Sequence, residues 1–288
     1  MKLSVKHYVG DLLIQKGNRP VRIMLVGPPG VGKSSFINYV FALLSGKPNK
    51  PVEQKATVAE KRGHVTLKTQ VYDIKLGDRA LQLIDTRGFD DGYSDDEFRA
   101  LLRGEWPDGA SLEDFRNLPP AEIEELKQTA AERQPDAVLM FALASSVVGN
   151  AEGQSGAQKV MADVLSRMLD LVMSAEHRVY GIVTQANLEA SVPHLADHRH
   201  LSTPAAQNEI KILKEGMSKH VGVSQQSVYV SNTHTKDIDS QTPPELDRQV
   251  YEPLAAVMQV SLAETGKKPS KAHQSQQTRP QKSSNYEL

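Results

Sequence analysis

The sequence predicts an α/β fold in three layers, with a mostly parallel sheet and one antiparallel edge strand. Three features support this prediction: a glycine-rich stretch between an apolar run and a helical pattern, a hairpin-like pair of strand patterns, and later apolar runs separated by helical patterns. Apolar runs that alternate with helical patterns are typical of parallel strands joined by crossover helices. The hairpin accounts for the antiparallel edge, because strands joined by a tight turn pair in opposite directions.

The glycine-rich stretch runs from Gly27 to Ser34 and reads Gly-Pro-Pro-Gly-Val-Gly-Lys-Ser. It matches the phosphate-binding loop, in which a glycine and four free positions precede Gly-Lys and a serine or threonine. The apolar run 21–26 predicts a buried strand before the loop, and the apolar positions within 36–44 predict a helix after it. This order directs backbone N–H groups and a helix N-terminus at phosphate oxygens.

Each position of the loop has an expected role. Glycines let the backbone approach a phosphate, Lys33 supplies a positive charge and the candidate catalytic group, and Ser34 offers a hydroxyl to Mg²⁺. The predicted nucleotide contacts of this segment are Gly27, Pro28, Pro29, Gly30, Val31, Gly32, Lys33, Ser34 and Ser35. A chance glycine turn before a helix is the alternative, which the flanking strand and helix patterns disfavour.

Composition limits the possible functions. The chain has 288 residues, 39% of them hydrophobic and 24% charged, as expected of a globular protein. Its formal net charge of −1 argues against a nucleic-acid partner. The absence of cysteine excludes disulfides and thiolate chemistry and fits a reducing compartment. With no apolar signal core and no run long enough to span a bilayer, we expect a cytoplasmic protein without a transmembrane segment.

The domain organisation follows from changes in composition along the chain. Residues 1–19 are a lead-in segment, and residues 20–262 are the main domain with a helical insertion at about 93–134. Residues 89–93 resemble a mobile loop, and a single charged helix is expected from Pro119-Pro120 to about Arg133. Residues 263–288 are rich in Lys, Gln, Ser and Pro, which predicts a disordered basic tail.

A second motif follows the hairpin. Strand-like runs at 65–76 and 80–84 flank a Gly77-Asp78 turn, and the second run leads into Asp85-Thr86-Arg87-Gly88. An aspartate at a strand end with a glycine three residues later is typical of a nucleotide switch. Asp85 would hold Mg²⁺, and the N–H of Gly88 would meet the terminal phosphate. The hairpin, and a threonine instead of glutamate after the aspartate, favour a GTPase-type domain over an ATPase or a small-molecule kinase.

A switch of this kind also needs an upstream threonine that closes on Mg²⁺ and the terminal phosphate. Thr57 and Thr66 are the candidates, and Thr66 is preferred because it leads directly into the strand. A surface or strand threonine remains the alternative. The predicted catalytic residues are therefore Lys33 and Thr66, and the predicted metal ligands are Ser34, Thr66 and Asp85.

Three more strands complete the predicted sheet, at 137–143, 179–183 and 228–230. The helical patterns between and after them cover 158–173, a segment opened by Thr203-Pro204, and a segment from Pro243 to about 262. His194 and His198, four residues apart, would suit a metal if helical, but a solvated loop is the favoured interpretation.

With these motifs in place, the chain resembles the G domains of translation-factor-related P-loop GTPases. It is most similar to the interferon-induced protein 44 family and, more loosely, to septin-like and immunity-associated GTPases. The resemblance covers about residues 20–262 and depends on Gly27 to Ser34 and Asp85 to Gly88. It implies GTP and GDP as ligands with Mg²⁺, and a homodimer across the nucleotide face as one form of partner, beside an unknown protein.

Such families read guanine with Asn or Thr, then Lys, any residue and Asp, at the end of the fifth strand. Here the matching residues are Thr184-Gln185-Ala186-Asn187, so lysine and aspartate are replaced and the choice between GTP and ATP stays open. A second base-contacting loop would include Ser231 and Asn232. Phe89 follows Gly88 where many small GTPases have a water-orienting glutamine, which implies slow hydrolysis. A non-hydrolysing scaffold and an ATP-binding protein are the alternatives to a slow GTPase switch.

Overall fold

The computed structural model describes residues 20–45, 68–76, 79–90, 92–148, 156–185, 192–195, 201–231 and 252–257. Predictions for several positions lie outside these residues: 1–19, Thr57, Thr66, the Gly77-Asp78 turn, Asn187, His198, Asn232 and 263–288. Within the described part of the chain, no helix is both long and apolar enough to cross a bilayer.

Within the described residues, six strands form one sheet. In chain order they are β1 (Val21–Val26), β2 (Gln70–Leu76), β3 (Arg79–Asp85), β4 (Ala137–Leu143), β5 (Val179–Thr184) and β6 (Val228–Ser231). Their spatial order is β2-β3-β1-β4-β5-β6. Only β2 runs antiparallel to its neighbour, and every other pairing is parallel. The predicted fold class, a mostly parallel sheet with one antiparallel edge strand, is confirmed.

The helices of the described residues connect these strands. They are α1 (Lys33–Ser45), α2 (Asp95–Leu102), α3 (Leu112–Arg116), α4 (Pro120–Gln128), α5 (Ala130–Arg133), α6 (Ala144–Val147), α7 (Gly156–Ser174) and α8 (Pro204–Val221). Residues 252–257 are also helical. Every residue of β1 and the first six of β4 are buried, so both faces of the sheet centre are covered, as a three-layer fold requires.

The single helix predicted after Pro119 is wrong, because it is divided into α4 and α5 at Thr129. The Thr129 hydroxyl donates to the Glu125 carbonyl at 3.0 Å, a local bond of the kind that competes with the regular helical ladder. At the two ends of the predicted loop at 89–93, Phe89 and Tyr93 are 2% and 3% exposed and their rings stack.

The first two helices of the helical insertion, residues 93–134, each begin with a capping box. Ser94 and Glu97 cap α2, and Ser111 and Asp114 cap α3, each through reciprocal side-chain and backbone hydrogen bonds. These caps fix where the insertion's first two helices start.

Replacing Glu97 by glutamine should lower the free energy of unfolding by about 0.2–1 kcal/mol at neutral pH. The Arg116 hydrogen bond lowers the pKa of Glu97 to about 2 from 4.5, and glutamine keeps the capping bond but loses the charge. The stabilisation from a depressed carboxyl pKa is complete above the unfolded value and is lost as the pH falls through the folded value, so the difference should disappear as the pH falls from 4.5 toward 2. Urea unfolding at several pH values measures it. The control Asp96→Asn, at a carboxylate that is 95% exposed, should change little, and an equal effect would contradict the assignment.

Candidate nucleotide-binding site

The loop between β1 and α1 has the backbone conformation that its glycines predict. Gly30 and Gly32 have φ values of 76° and 91°, in the left-handed region that favours glycine. The Val31 side chain is fully buried, so only its backbone faces the loop interior. Ser35 lies in the first turn of α1, two residues beyond its first residue, Lys33. The loop and the helix N-terminus therefore form one continuous set of backbone donors.

Lys33 is held inside this loop. Its side-chain nitrogen donates to the carbonyls of Gly27 at 3.0 Å and Pro28 at 3.2 Å, and the residue is only 6% exposed. Burial lowers the pKa of Lys33 to about 8, and the nearby Asp85 carboxylate partly opposes that shift. Because burial disfavours the charged ammonium, an anion bound at the loop would stabilise it.

Ser34 and Asp85 meet beside the loop. The Ser34 hydroxyl donates to Asp85 Oδ2 at 2.7 Å, and Asp85 is 1% exposed at the end of β3. The parallel register pairs Leu25 of β1 with Asp85, which places the carboxylate next to the start of the loop. A hydroxyl and a carboxylate oxygen are hard ligands of the kind that Mg²⁺ prefers, so this donor pair fits the ion.

The segment after Asp85 lies against the loop. A Cβ atom at Gly88 would lie 2.6 Å from the backbone nitrogen of Pro29, so only glycine allows this approach. The Phe89 N–H donates to the Gly27 carbonyl at 3.0 Å, while its ring packs on Phe98 with centroids 4.7 Å apart. The Phe89 side chain is therefore part of the core.

Replacing Gly88 by alanine should lower the free energy of unfolding by about 1–3 kcal/mol, because the added methyl group would overlap backbone atoms of Pro29. Denaturant unfolding measures the change. Gly92→Ala is the matched control, because its added Cβ would meet the flexible carboxylate of Asp90 at 2.8 Å, which can rotate away. Equal losses in both variants would contradict the close approach of Gly88 to the loop.

The end of β5 is hydrogen-bonded to the same loop. The Thr184 hydroxyl lies 2.7 Å from the Val31 carbonyl and 3.2 Å from the Ala142 carbonyl. Gln185, with a left-handed φ of 57°, donates from its side-chain amide to the Gly30 carbonyl at 3.1 Å. Sequence reasoning treated Gln185 only as a lost lysine and missed this contact, which joins residues 155 positions apart.

The predicted site residues that the structure describes lie at one edge of the sheet. Ser231 is 1% exposed at the end of β6 and pairs in register with Thr184. Parallel strands end at the same edge, where open α/β sheets bind ligands. Placed together there are the loop from Gly27 to Ser35, Asp85, Gly88, Thr184, Gln185 and Ser231. Thr66, Asn187 and Asn232 lie outside the described residues.

Of the histidine pair at positions 194 and 198, the structure describes only His194. His194 contacts Glu209 at 2.5 Å through Nδ1. No group of three or more His, Asp or Glu in the described ranges is arranged to hold an ion. His198, the other member of the predicted pair, lies outside the described residues, so the structure does not test either interpretation of the pair.

Comparisons with known proteins match the part of the chain that contains the loop, Asp85 and Gly88. A family model described as 50S ribosome-binding GTPase matches residues 22–144. Human interferon-induced protein 44-like is 34% identical over 96 residues, which are 31% of this chain and 20% of that protein. The match thus spans about a fifth of the length of that relative.

Among the solved structures to which the chain is similar are two of Toc33 from Arabidopsis thaliana. The complex with Mg²⁺ and GMPPNP is 13% identical with a TM-score of 0.49, over 92% of this chain and 95% of the other. The complex with GDP and Mg²⁺ is 15% identical with a TM-score of 0.49, over 90% of each chain.

Proposed function

Because the chain contains a P-loop GTPase G domain, we propose that it binds GTP and GDP with Mg²⁺ and acts as a slowly hydrolysing switch. One observation carries the proposal: Lys33, the Ser34–Asp85 pair and Gly88 all meet at the loop between β1 and α1. A positive charge, two hard oxygen ligands and a set of backbone N–H groups are what a nucleoside triphosphate requires.

Each residue of the site has its own proposed role in nucleotide binding. Lys33 would exchange its two carbonyl acceptors for outer phosphate oxygens, and the loop's backbone N–H groups would surround the inner ones. Ser34 and Asp85 would hold Mg²⁺, with Thr66 as the proposed third protein ligand. The ion, when bound, would neutralise charge on the phosphate oxygens. Gly88 lies against Pro29 of the loop, and its N–H would meet the terminal phosphate there.

Turnover by dilute protein should be at or below about 10⁻⁴ to 10⁻³ s⁻¹, the intrinsic scale of small GTPases. Phe89 has no group that can orient water, and its ring is packed on Phe98 away from the loop. Phosphate release at several protein concentrations measures the rate. A rise with concentration would indicate a second copy across the nucleotide face, whereas fast turnover at every concentration would show that another residue positions the water.

The alternatives are a non-hydrolysing scaffold, which Phe89 and Asn187 favour over a fast GTPase, and an ATP-binding protein. The deciding experiment identifies the nucleotide carried by the purified full chain, with and without Mg²⁺. Guanine nucleotide retained only with Mg²⁺ would support the proposal, and adenine nucleotide would favour the ATP alternative. Neither nucleotide, with no binding on titration, would overturn the proposal.

The proposal includes a cytoplasmic location and a protein partner. The absence of cysteine fits a reducing compartment. A homodimer across the nucleotide face is the proposed assembly, since septin-like domains, which the chain resembles, pair in this way. Sedimentation with GDP and with a non-hydrolysable GTP analogue tests it, because a nucleotide-face dimer should depend on the ligand.

A further inference from the structure

The chain just before β2 is attached to the helical insertion. The Ala110 carbonyl accepts the Thr69 N–H at 3.0 Å and the Trp106 indole N–H at 3.3 Å. Lys68 forms an isolated antiparallel bridge with Ser111, and its side-chain nitrogen lies 3.5 Å from the Asp114 carboxylate. Residues 68 and 69, which connect the position of Thr66 in the sequence to β2, are therefore hydrogen-bonded to the insertion.

The chain just after β3 meets the same insertion through an aromatic cluster. We define this cluster as Phe89, Tyr93, Phe98, Trp106 and Phe115. The Phe89 ring contacts Phe98 and Tyr93 at centroid distances of 4.7 and 5.8 Å. The ring centroids of Tyr93 and Trp106 are 6.2 Å apart, and Trp106 stacks on Phe115 with centroids 4.1 Å apart. Phe89 is thus linked ring by ring to Trp106.

Phe89 is also attached directly to the phosphate loop, through its N–H to the Gly27 carbonyl. Arg167 of α7 covers the Phe89 ring at 5.4 Å and donates to Asp95 of α2 at 2.8 Å, so the ring is fixed on two sides. A continuous set of packed contacts runs from the loop through Phe89 and Trp106 to Thr69. Such packed networks carry coupling when their ends have two arrangements.

We propose that the helical insertion changes its packing according to whether the nucleotide carries a terminal phosphate. The reason is that the segments 68–69 and 88–89 are both connected to Trp106 through packed contacts. This inference rests on the proposed nucleotide-binding function. A terminal phosphate that accepts the Gly88 N–H shifts the adjoining Phe89, and the cluster transmits this displacement to the insertion. Closely packed cores switch between discrete arrangements and do not deform gradually, so a small shift at the loop is amplified.

The chain contains one tryptophan, so its fluorescence reports this region alone. The experiment compares Trp106 emission of the full chain with Mg²⁺ and either GDP or a non-hydrolysable GTP analogue, with affinities measured by calorimetry. The two complexes should differ in emission. Hydrogen exchange at the Thr69 amide in the unmodified protein should differ as well, and this readout requires no substitution.

Phe89→Leu keeps an apolar side chain of similar size but removes the ring contacts with Phe98 and Tyr93. It should bind both nucleotides yet lose the emission difference. Because coupling is reciprocal, the ratio of GTP-analogue to GDP affinity should change by about 5-fold or more. Tyr229→Leu, on the opposite edge strand β6, is the matched control and should retain both properties.

The outcomes separate this inference from the function on which it rests. Binding of both nucleotides with identical Trp106 emission and identical Thr69 exchange would overturn the inference alone. No binding of either nucleotide would overturn the proposed function and this inference with it. If Phe89→Leu does not fold, Phe115→Leu at the partly buried end of the cluster provides the same affinity-ratio test.

Discussion

Replacing Lys33 by alanine should weaken binding of a nucleoside triphosphate with Mg²⁺ by about 10- to 100-fold, from the loss of a charge-assisted contact at ~1.5–3 kcal/mol. The side chain is buried in the loop and needs only to turn from the carbonyls of Gly27 and Pro28 to reach a phosphate. Calorimetric titration of both proteins measures the difference. Unchanged affinity would remove the phosphate-loop interpretation.

Two further variants test whether the loss of affinity comes from the Lys33 contact itself. Lys127→Ala removes a lysine of α4 whose side chain is 50% exposed, and it should leave the affinity unchanged. Lys33→Met should be at least as stable to denaturant as the natural protein, because it replaces a buried charge by an apolar chain of similar length. Reduced binding together with unfolding would instead indicate that Lys33 supports the fold.

Replacing Asn187 by aspartate should tighten GTP binding by roughly 5- to 150-fold and leave ATP nearly unchanged. Guanine presents two donors, its ring N–H and its amine, and an aspartate can accept both. Asparagine has one accepting oxygen, and its NH₂ group would face a donor and leave it unpaired. The natural protein should therefore discriminate weakly between GTP and ATP. Competition titrations with both nucleotides measure this.

Asn208→Asp is the matched control for charge, because it makes the same change at an exposed position of α8. It should alter neither affinity. If Asn187→Asp has no effect on either nucleotide, Asn187 does not touch the base. If the natural protein already binds GTP tightly and rejects ATP, the base is read elsewhere, and Ser231 and Asn232 are the next candidates.

The sequence predicts well what depends on neighbouring residues. The glycine loop, the buried strands on either side of it and the capping boxes at Ser94 and Ser111 all reflect local backbone requirements, so short patterns identify them. The edge-strand arrangement also follows from a local feature, the closeness of β2 and β3 along the chain.

What the sequence does not predict depends on contacts between distant residues. The sequence predicts a loop at Phe89, and its burial follows from the rings of Tyr93 and Phe98, which the insertion places against it. The bond from Gln185 to Gly30 joins two segments through the pairing of β4 with β5 and of β4 with β1. A positive φ at a glutamine is uncommon, and no local pattern in the sequence indicates it.

The adjacency of β1 and β4 has a consequence for how the chain folds. Their register pairs Ile23 with Ala137, so the sheet centre closes a loop that includes the whole insertion, whereas the β2–β3 pairing is local. The entropic cost of closing a loop grows only logarithmically, at about 0.6 kcal/mol for each doubling of its length. The insertion therefore lowers the free energy of unfolding only slightly. The search for a distant partner strand lowers the folding rate more than it lowers the stability of the folded protein. We therefore expect the β2–β3 hairpin to form early and β4 to join late, with the insertion setting the refolding rate.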